Sequence, residues 1–208
     1  MTGEELLGFT YRFEPGAPGG RTLLLLHGTG ADENDLLPLG RMLDDKAHLL
    51  SPRGKVLEGG MPRFFRRFAE GVLDIDDLKK RTHELVDFID AAAERHGFGR
   101  SRVVAVGYSN GANIAASTLL LRPDALDAAV LLRPMFPFEP EERPRLDGVD
   151  VFIASGRRDP LIEPGDADAL ARLLGDCGAN VEHSWSDRGH PLGSDEVARA
   201  AEWVAARR

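Results

Sequence analysis

The chain has 208 residues, 26 Lys and Arg against 34 Asp and Glu, a net charge of −8 with neutral histidines, and a single cysteine, Cys177. That length suits one domain with a sizeable core, the acidic balance argues against a polyanion binder, and a lone thiol builds neither an internal disulfide nor a thiolate-rich metal cage. Apolar runs such as Leu23 to Leu26 are far too short to span a bilayer, and Met1-Thr-Gly-Glu-Glu lacks the basic start of a secretory signal; a cytoplasmic protein with no nucleic-acid partner and no membrane insertion is expected.

Along the chain, short β-prone runs alternate with helical segments. Weaker strand candidates near Phe9 and His48 flank a strong one, Arg21 to Leu26, which runs into His27-Gly28-Thr29-Gly30. Asp32, Glu33 and Asp35 read as first-turn acids of the helix that follows. From Asp76 to His96, Leu78, Leu85, Val86 and Ile89 share one helical stripe; Asp74 or Asp76 can cap its start, and Gly97 can take a left-handed exit. A strand is expected from Arg102 to Val106 and a helix from Asn113 to Leu121, stopped by Arg122-Pro123. Next come strands from Ala128 to Leu132 and Val151 to Ala154, a helix from Ala167 to Leu174, and a strand from Val181 to Trp185. The last helix carries Asp195 and Glu196 in its first turn and Arg207 and Arg208 at its end, matching the macrodipole. Unalternating apolar strands suit a sheet covered on both faces, so the alternation implies an α/β fold with a mainly parallel, doubly wound sheet. No repeat or linker divides the chain, and residues 1–208 read as a single domain.

The sharpest local feature is Gly107-Tyr108-Ser109-Asn110-Gly111, set between a strand and a helix. A turn this tight leaves no room for flanking side chains and lifts the central hydroxyl clear of the sheet. Its plainer reading is a glycine-bracketed turn whose serine caps the helix. A serine nucleophile needs a base and a carboxylate to orient that base. Asp159 follows the strand ending in Val151-Phe-Ile-Ala, and His190 follows Val181-Glu-His-Ser-Trp. Ser, Asp, His is the chain order of one serine-hydrolase architecture, and all three lie beyond carboxyl ends of strands, where open α/β sheets bind ligands. The remaining histidines are poorer bases: His48, His83 and His96 precede the serine, and His183 falls inside a strand. At Gly28-Thr29-Gly30 the small residues let backbone N–H groups point inward, so the N–H groups of Thr29 and Asn110 would form an oxyanion hole, with His27 supporting the turn. A dinucleotide finger is the rival reading of these glycines, but its third glycine position holds Glu33, whose charge would face the pyrophosphate.

With these segments in place, the chain resembles the α/β-hydrolase superfamily, and within it the small phospholipase/carboxylesterase family that also contains acyl-protein thioesterases. His27-Gly-Thr-Gly-Ala-Asp-Glu-Asn-Asp-Leu, Met61-Pro-Arg-Phe-Phe-Arg-Arg-Phe-Ala-Glu-Gly and Gly107-Tyr-Ser-Asn-Gly-Ala-Asn look like its bacterial carboxylesterase branch. The resemblance implies Ser109 as nucleophile, Asp159 as acid, His190 as base, and the Thr29 and Asn110 N–H groups as oxyanion donors. It implies a serine carboxylesterase acting on small or short-acyl esters through an acyl-enzyme, with no cofactor and no metal, and a homodimer. The same machinery would serve a thioesterase or a lysophospholipase-type hydrolase; a non-catalytic ligand receptor on this fold is the reading from another class. The acyl-protein thioesterases favour Gln after the nucleophile, where this chain has Asn110. Met61 to Phe68 and Met135 to Arg145 are the segments left to overhang the site, which implies an open pocket without a large lid, and Cys177 has no role in the chemistry.

Overall fold

The structure, a computed structural model, describes residues 3–207, so Arg208 of the expected helix end lies outside the described residues. Its elements are β1 (Glu4–Leu6), β2 (Phe9–Glu14), β3 (Thr22–Leu26), α1 (Leu37–Leu43), β4 (His48–Pro52), β5 (Val56–Glu58), β6 (Met61–Arg63), β7 (Arg67–Ala69) and β8 (Val72–Leu73). They continue with α2 (Ile75–His96), β9 (Val103–Tyr108), α3 (Asn110–Leu121), β10 (Ala128–Leu132), β11 (Asp150–Gly156), α4 (Pro164–Asp176), β12 (Asn180–Ser186) and α5 (Ser194–Ala205). One sheet has the order β1-β2-β4-β3-β9-β10-β11-β12. From β4 to β12 its neighbours pair in parallel, and β2 and β1 complete one edge antiparallel. This is an α/β architecture with a mainly parallel sheet, as the alternation implied, and with no large lid among the described residues.

The all-leucine strand β3 shows why its apolar run does not alternate. Leu24 and Leu26 pack into the core shared with α2, α3 and α4, whereas Leu23 and Leu25 pack with Leu37 of α1 and with Trp203 and Val204 of α5. Successive side chains point to opposite faces, and both faces are covered, so every position of β3 is buried. The register pairs Leu26 with Gly107 and Leu132 with Tyr108, which aligns the carboxyl ends of β3, β9 and β10 along one edge.

Element boundaries depart from the sequence reading for identifiable reasons. Asp74, rather than Asp76, caps α2, its carboxylate accepting from the Asp77 N–H at 3.1 Å, and Gly97 exits with φ 71°. Arg102 sits in a short 3-10 turn ahead of β9, and α4 starts at Pro164, whose ring suits a first-turn position. Asp32, Glu33 and Asp35 are not first-turn acids, because α1 begins only at Leu37. Glu33 is instead buried and takes both arms of Arg53, at 2.5 and 2.7 Å. Arg207 lies beyond α5, where it donates to the Trp203 carbonyl at 3.0 Å and pairs with Asp150 at 2.9 Å. The segment from Met61 to Phe68 does more than overhang: it supplies β6 and most of β7, with Phe64 and Phe65 buried in the core and Phe68 exposed. Two hairpins, β5–β6 and β7–β8, therefore stand outside the main sheet beside its carboxyl edge.

Candidate active site

β9 passes into α3 at Ser109, which adopts φ 53° and ψ −112°. Positive φ strains a non-glycine residue and persists only where neighbours hold it; here the Ser109 N–H donates to the Leu132 carbonyl at 2.8 Å, and its own carbonyl accepts from Asn113 N–H at 3.0 Å. The flanking glycines are sterically required. A Cβ on Gly107 would lie 2.4 Å from the Gly111 carbonyl oxygen, and one on Gly111 would lie 1.9 Å from the Leu26 carbonyl oxygen. The Ser109 side chain makes no capping bond to α3, which removes the plainer reading of the motif. Its Oγ lies 3.0 Å from His190 Nε2.

Behind His190 stands Asp159. Its Oδ2 lies 2.8 Å from His190 Nδ1, while Oδ1 accepts from the Leu161 N–H at 2.9 Å. The Asp159 side chain is 1% exposed and that of His190 is 18% exposed, so the carboxylate is sealed in and the imidazole reaches the cleft. The loops after β11 and β12 touch directly: a Cβ on Gly156 would lie 2.5 Å from the Arg188 carbonyl oxygen, and the Arg158 N–H bonds that carbonyl at 3.0 Å. A hydroxyl, an imidazole and a carboxylate in this chain can pass a proton from the hydroxyl to the ring while the carboxylate fixes the tautomer.

Sequence reasoning missed Arg133. It directly follows β10, has φ 59°, and its side chain is wholly buried. The guanidinium donates to the carbonyls of Gly189 at 3.0 Å and Pro191 at 3.3 Å, the residues on either side of His190, and to the Ala154 carbonyl at 3.2 Å. It also pairs with Glu196 at 2.8 Å and approaches Asp159 Oδ2 to 3.9 Å. Burial opposes the charge on Glu196, yet bonds from Arg133, the Gly193 N–H and the Ser186 hydroxyl together hold its carboxyl below the usual value. The one sequence signal was a basic residue directly after an all-apolar strand, too common to single out alone.

The fourth segment is the turn after β3. His27 is buried, with Nδ1 2.6 Å from the Gly28 carbonyl and Nε2 accepting from the Gly54 N–H at 3.0 Å; desolvation pushes its pKa down, as suits a neutral ring with one donor and one acceptor nitrogen. The ring therefore braces the turn. Asn110 opens α3, so its N–H has no acceptor within the helix. Its side-chain Oδ1 accepts from the Phe64 N–H at 2.8 Å, tying the hairpin segment to the elbow, and Asn113 Oδ1 holds the Met135 N–H at 2.8 Å. Thr29, Ser109, Asn110 and His190 line one cleft, together with Met135, Leu161 and Ile162. Of the expected site residues, only Asp159 lies outside its walls, buried behind His190. Cys177 is buried at the end of α4, and desolvation raises its thiol pKa.

Comparison with known proteins agrees with this architecture. The phospholipase/carboxylesterase family profile matches residues 13–207. "Putative hydrolase MhqD" of Bacillus subtilis (strain 168) is 55% identical over 181 residues, covering 87% of this chain and 90% of that protein. The crystal structure of the Bacillus cereus carboxylesterase superposes with a TM-score of 0.93 at 48% identity, over 95% of this chain and 94% of that one. YahD, solved with malic acid, superposes with a TM-score of 0.91 at 30% identity, over 96% of this chain and 100% of that one. The chain therefore belongs to the phospholipase/carboxylesterase family of α/β-hydrolases and is a hydrolase.

Proposed function

We propose that the protein is a serine carboxylesterase acting on small or short-acyl esters. The observation that carries this reading is the continuous chain Ser109 Oγ, His190, Asp159, with contacts of 3.0 and 2.8 Å at the cleft floor. His190 takes the Ser109 proton as Oγ attacks the ester carbonyl, and the oxyanion that forms is bound by the Thr29 and Asn110 N–H groups. The protonated ring then gives its proton to the departing alcohol, leaving an acyl group on Ser109. Water, deprotonated by His190, repeats the sequence and frees the acid. Asp159 keeps Nδ1 protonated and stabilises the imidazolium. The donors of the oxyanion hole are main-chain groups fixed by the His27 turn and by the start of α3, so they need no reorganisation as charge develops. No cofactor enters any step.

Support for a small substrate comes from the cleft's surroundings: among the described residues, two short hairpins and the loops after β10 and β11 border it, with no inserted domain. Malic acid, named with the YahD structure, places small carboxylates among the compounds to try as ligands. The test is hydrolysis of short 4-nitrophenyl esters by wild type and by Ser109→Ala. A fall in kcat of at least about 10³-fold is expected, the scale on which such nucleophiles act; unchanged turnover would contradict the assignment. Matched thioesters in the same assay separate ester from thioester preference.

A further inference from the structure

The hairpin wall of the cleft carries two guanidiniums, with Glu70, Gly71 and Leu73 completing it. Arg63, at the end of β6, and Arg67, on β7, both line it. The Arg63 side chain is 4% exposed; Nη1 contacts Thr29 Oγ1 at 2.5 Å and Nε donates to the Phe65 carbonyl at 3.1 Å. Arg67 grips Glu58 through Nε and Nη2 at 2.8 to 3.1 Å, and the same carboxylate lies 3.3 Å from Arg63 Nε. One carboxylate thus serves two guanidiniums, one of them nearly buried. Arg66, between them in sequence, turns away to Asp74 at 3.1 Å. The acid on the cleft's rim, Glu70, is exposed, so water screens its charge.

The balance of forces on Arg63 follows from this arrangement. Desolvation and then the neighbouring Arg67 charge push its pKa down, and Glu58 offsets only part of that. Asn110, at the start of α3, lines the same cleft, and its buried Nδ2 has no acceptor among the described residues, its Oδ1 being committed to Phe64. Crowded, partly desolvated cations and an unused donor gain from the arrival of an anion, through charge-assisted hydrogen bonds that a neutral group cannot match.

We propose that this wall selects esters that also carry a carboxylate, with Arg63 and Arg67 holding the carboxylate while the ester carbonyl lies over Ser109. The inference rests on the esterase reading of Ser109 and adds to it the chemical class of the substrate. Arg63 would act from beside Thr29, so an anion bound there also sits next to the turn that carries one oxyanion donor. The carboxylate exchanges no bond or proton in turnover; it contributes binding and orientation.

Two matched pairs test this: 4-acetoxybenzoate against its methyl ester, with the charge on the alcohol part, and the mono-4-nitrophenyl ester of adipic acid against the same compound with its acid methylated. The readout is the ratio of kcat/KM, charged over neutral, so any general loss of activity in a variant cancels. Wild type should favour the charged member of at least one pair by about tenfold, the scale of one charge-assisted hydrogen bond. That ratio should shrink severalfold at about 0.5 M NaCl, fall toward one in Arg67→Gln, and survive in part in Arg67→Lys. Arg63→Met should lower it further; because Arg63 also braces Thr29, the half-exposed Arg67 is the primary variant. Equal or lower kcat/KM for the charged member of both pairs in wild type would overturn the proposal, as would a ratio unmoved by Arg67→Gln. If neutral esters are cleaved in a Ser109-dependent way without that preference, this inference alone fails. If no Ser109-dependent cleavage occurs, the esterase reading fails with it.

Discussion

At the residue scale, the site depends on a buried ion pair whose members are far apart in sequence. Arg133 bonds the carbonyls flanking His190 and pairs with Glu196, and both side chains are buried. Arg133→Met removes the buried counter-charge of Glu196, leaving it only the exposed Arg188 at 3.8 Å, and frees the His190 loop. It should cost about 3–5 kcal/mol of stability, measured by urea denaturation, and lower kcat by about tenfold or more where the variant stays folded. Arg133→Lys should restore part of the stability but less of the activity, since an ammonium cannot span the same carbonyls. His27 makes a second prediction. Its pKa is lowered by burial, so as pH falls the unfolded chain takes the proton first. The stability tied to a neutral His27 is thus complete above the ordinary imidazole value of about 6.5 and drains away as pH drops through it. A melting temperature that falls between pH 7.5 and pH 5, with a shallower fall in His27→Gln, is the expected result. Ser109, Asp159 and His190 were legible in the sequence because each sits on a local signal: a glycine-bracketed turn, or a loop directly after an apolar strand. Arg133 and Glu196 were not, because nothing local tells a buried charge from a solvated one.

At the element scale, the long helices and all-apolar strands could be read from periodicity and caps, as α2 shows with Asp74 at one end and Gly97 at the other. The hairpins β5–β8 could not. Their strands have two or three residues, too few for a period to register, and Phe64 and Phe65 are buried by tertiary packing that local pattern does not encode. The same scale explains the acids after the first turn: they precede α1 and serve loop contacts, because the chain needs several residues of turn before Leu37 can start a helix. Glycine positions give a paired prediction. Gly111→Ala drives a methyl group into the β3 backbone, 1.9 Å from the Leu26 carbonyl oxygen, and should abolish soluble, active protein. Gly165→Ala, in the first turn of α4 with nothing within 4 Å of its new Cβ, should keep activity and raise stability by up to about 1 kcal/mol. Thermal melts and ester turnover of both variants check this.

At the scale of the whole molecule, a parallel sheet with in-register neighbours brings the ends of β3, β9, β11 and β12 to one edge. Residues 29, 109, 159 and 190 converge there from four separate segments, on loops carried by strands whose cores are sealed between α1 and α5 on one face and α2, α3 and α4 on the other. Rigid strands carry the loops, and the hairpins add the wall that gives the cleft its charge. Among the described residues no helix is long and apolar enough to cross a membrane. On the proposed reading, this convergence makes Ser109 a nucleophile. The most direct measurement of that role is labelling of the folded protein with a fluorophosphonate probe followed by peptide mapping. One adduct is expected, on Ser109, lost in His190→Ala and on prior unfolding; an unlabelled Ser109 in folded wild type, or labelling that persists without His190, would rule that role out.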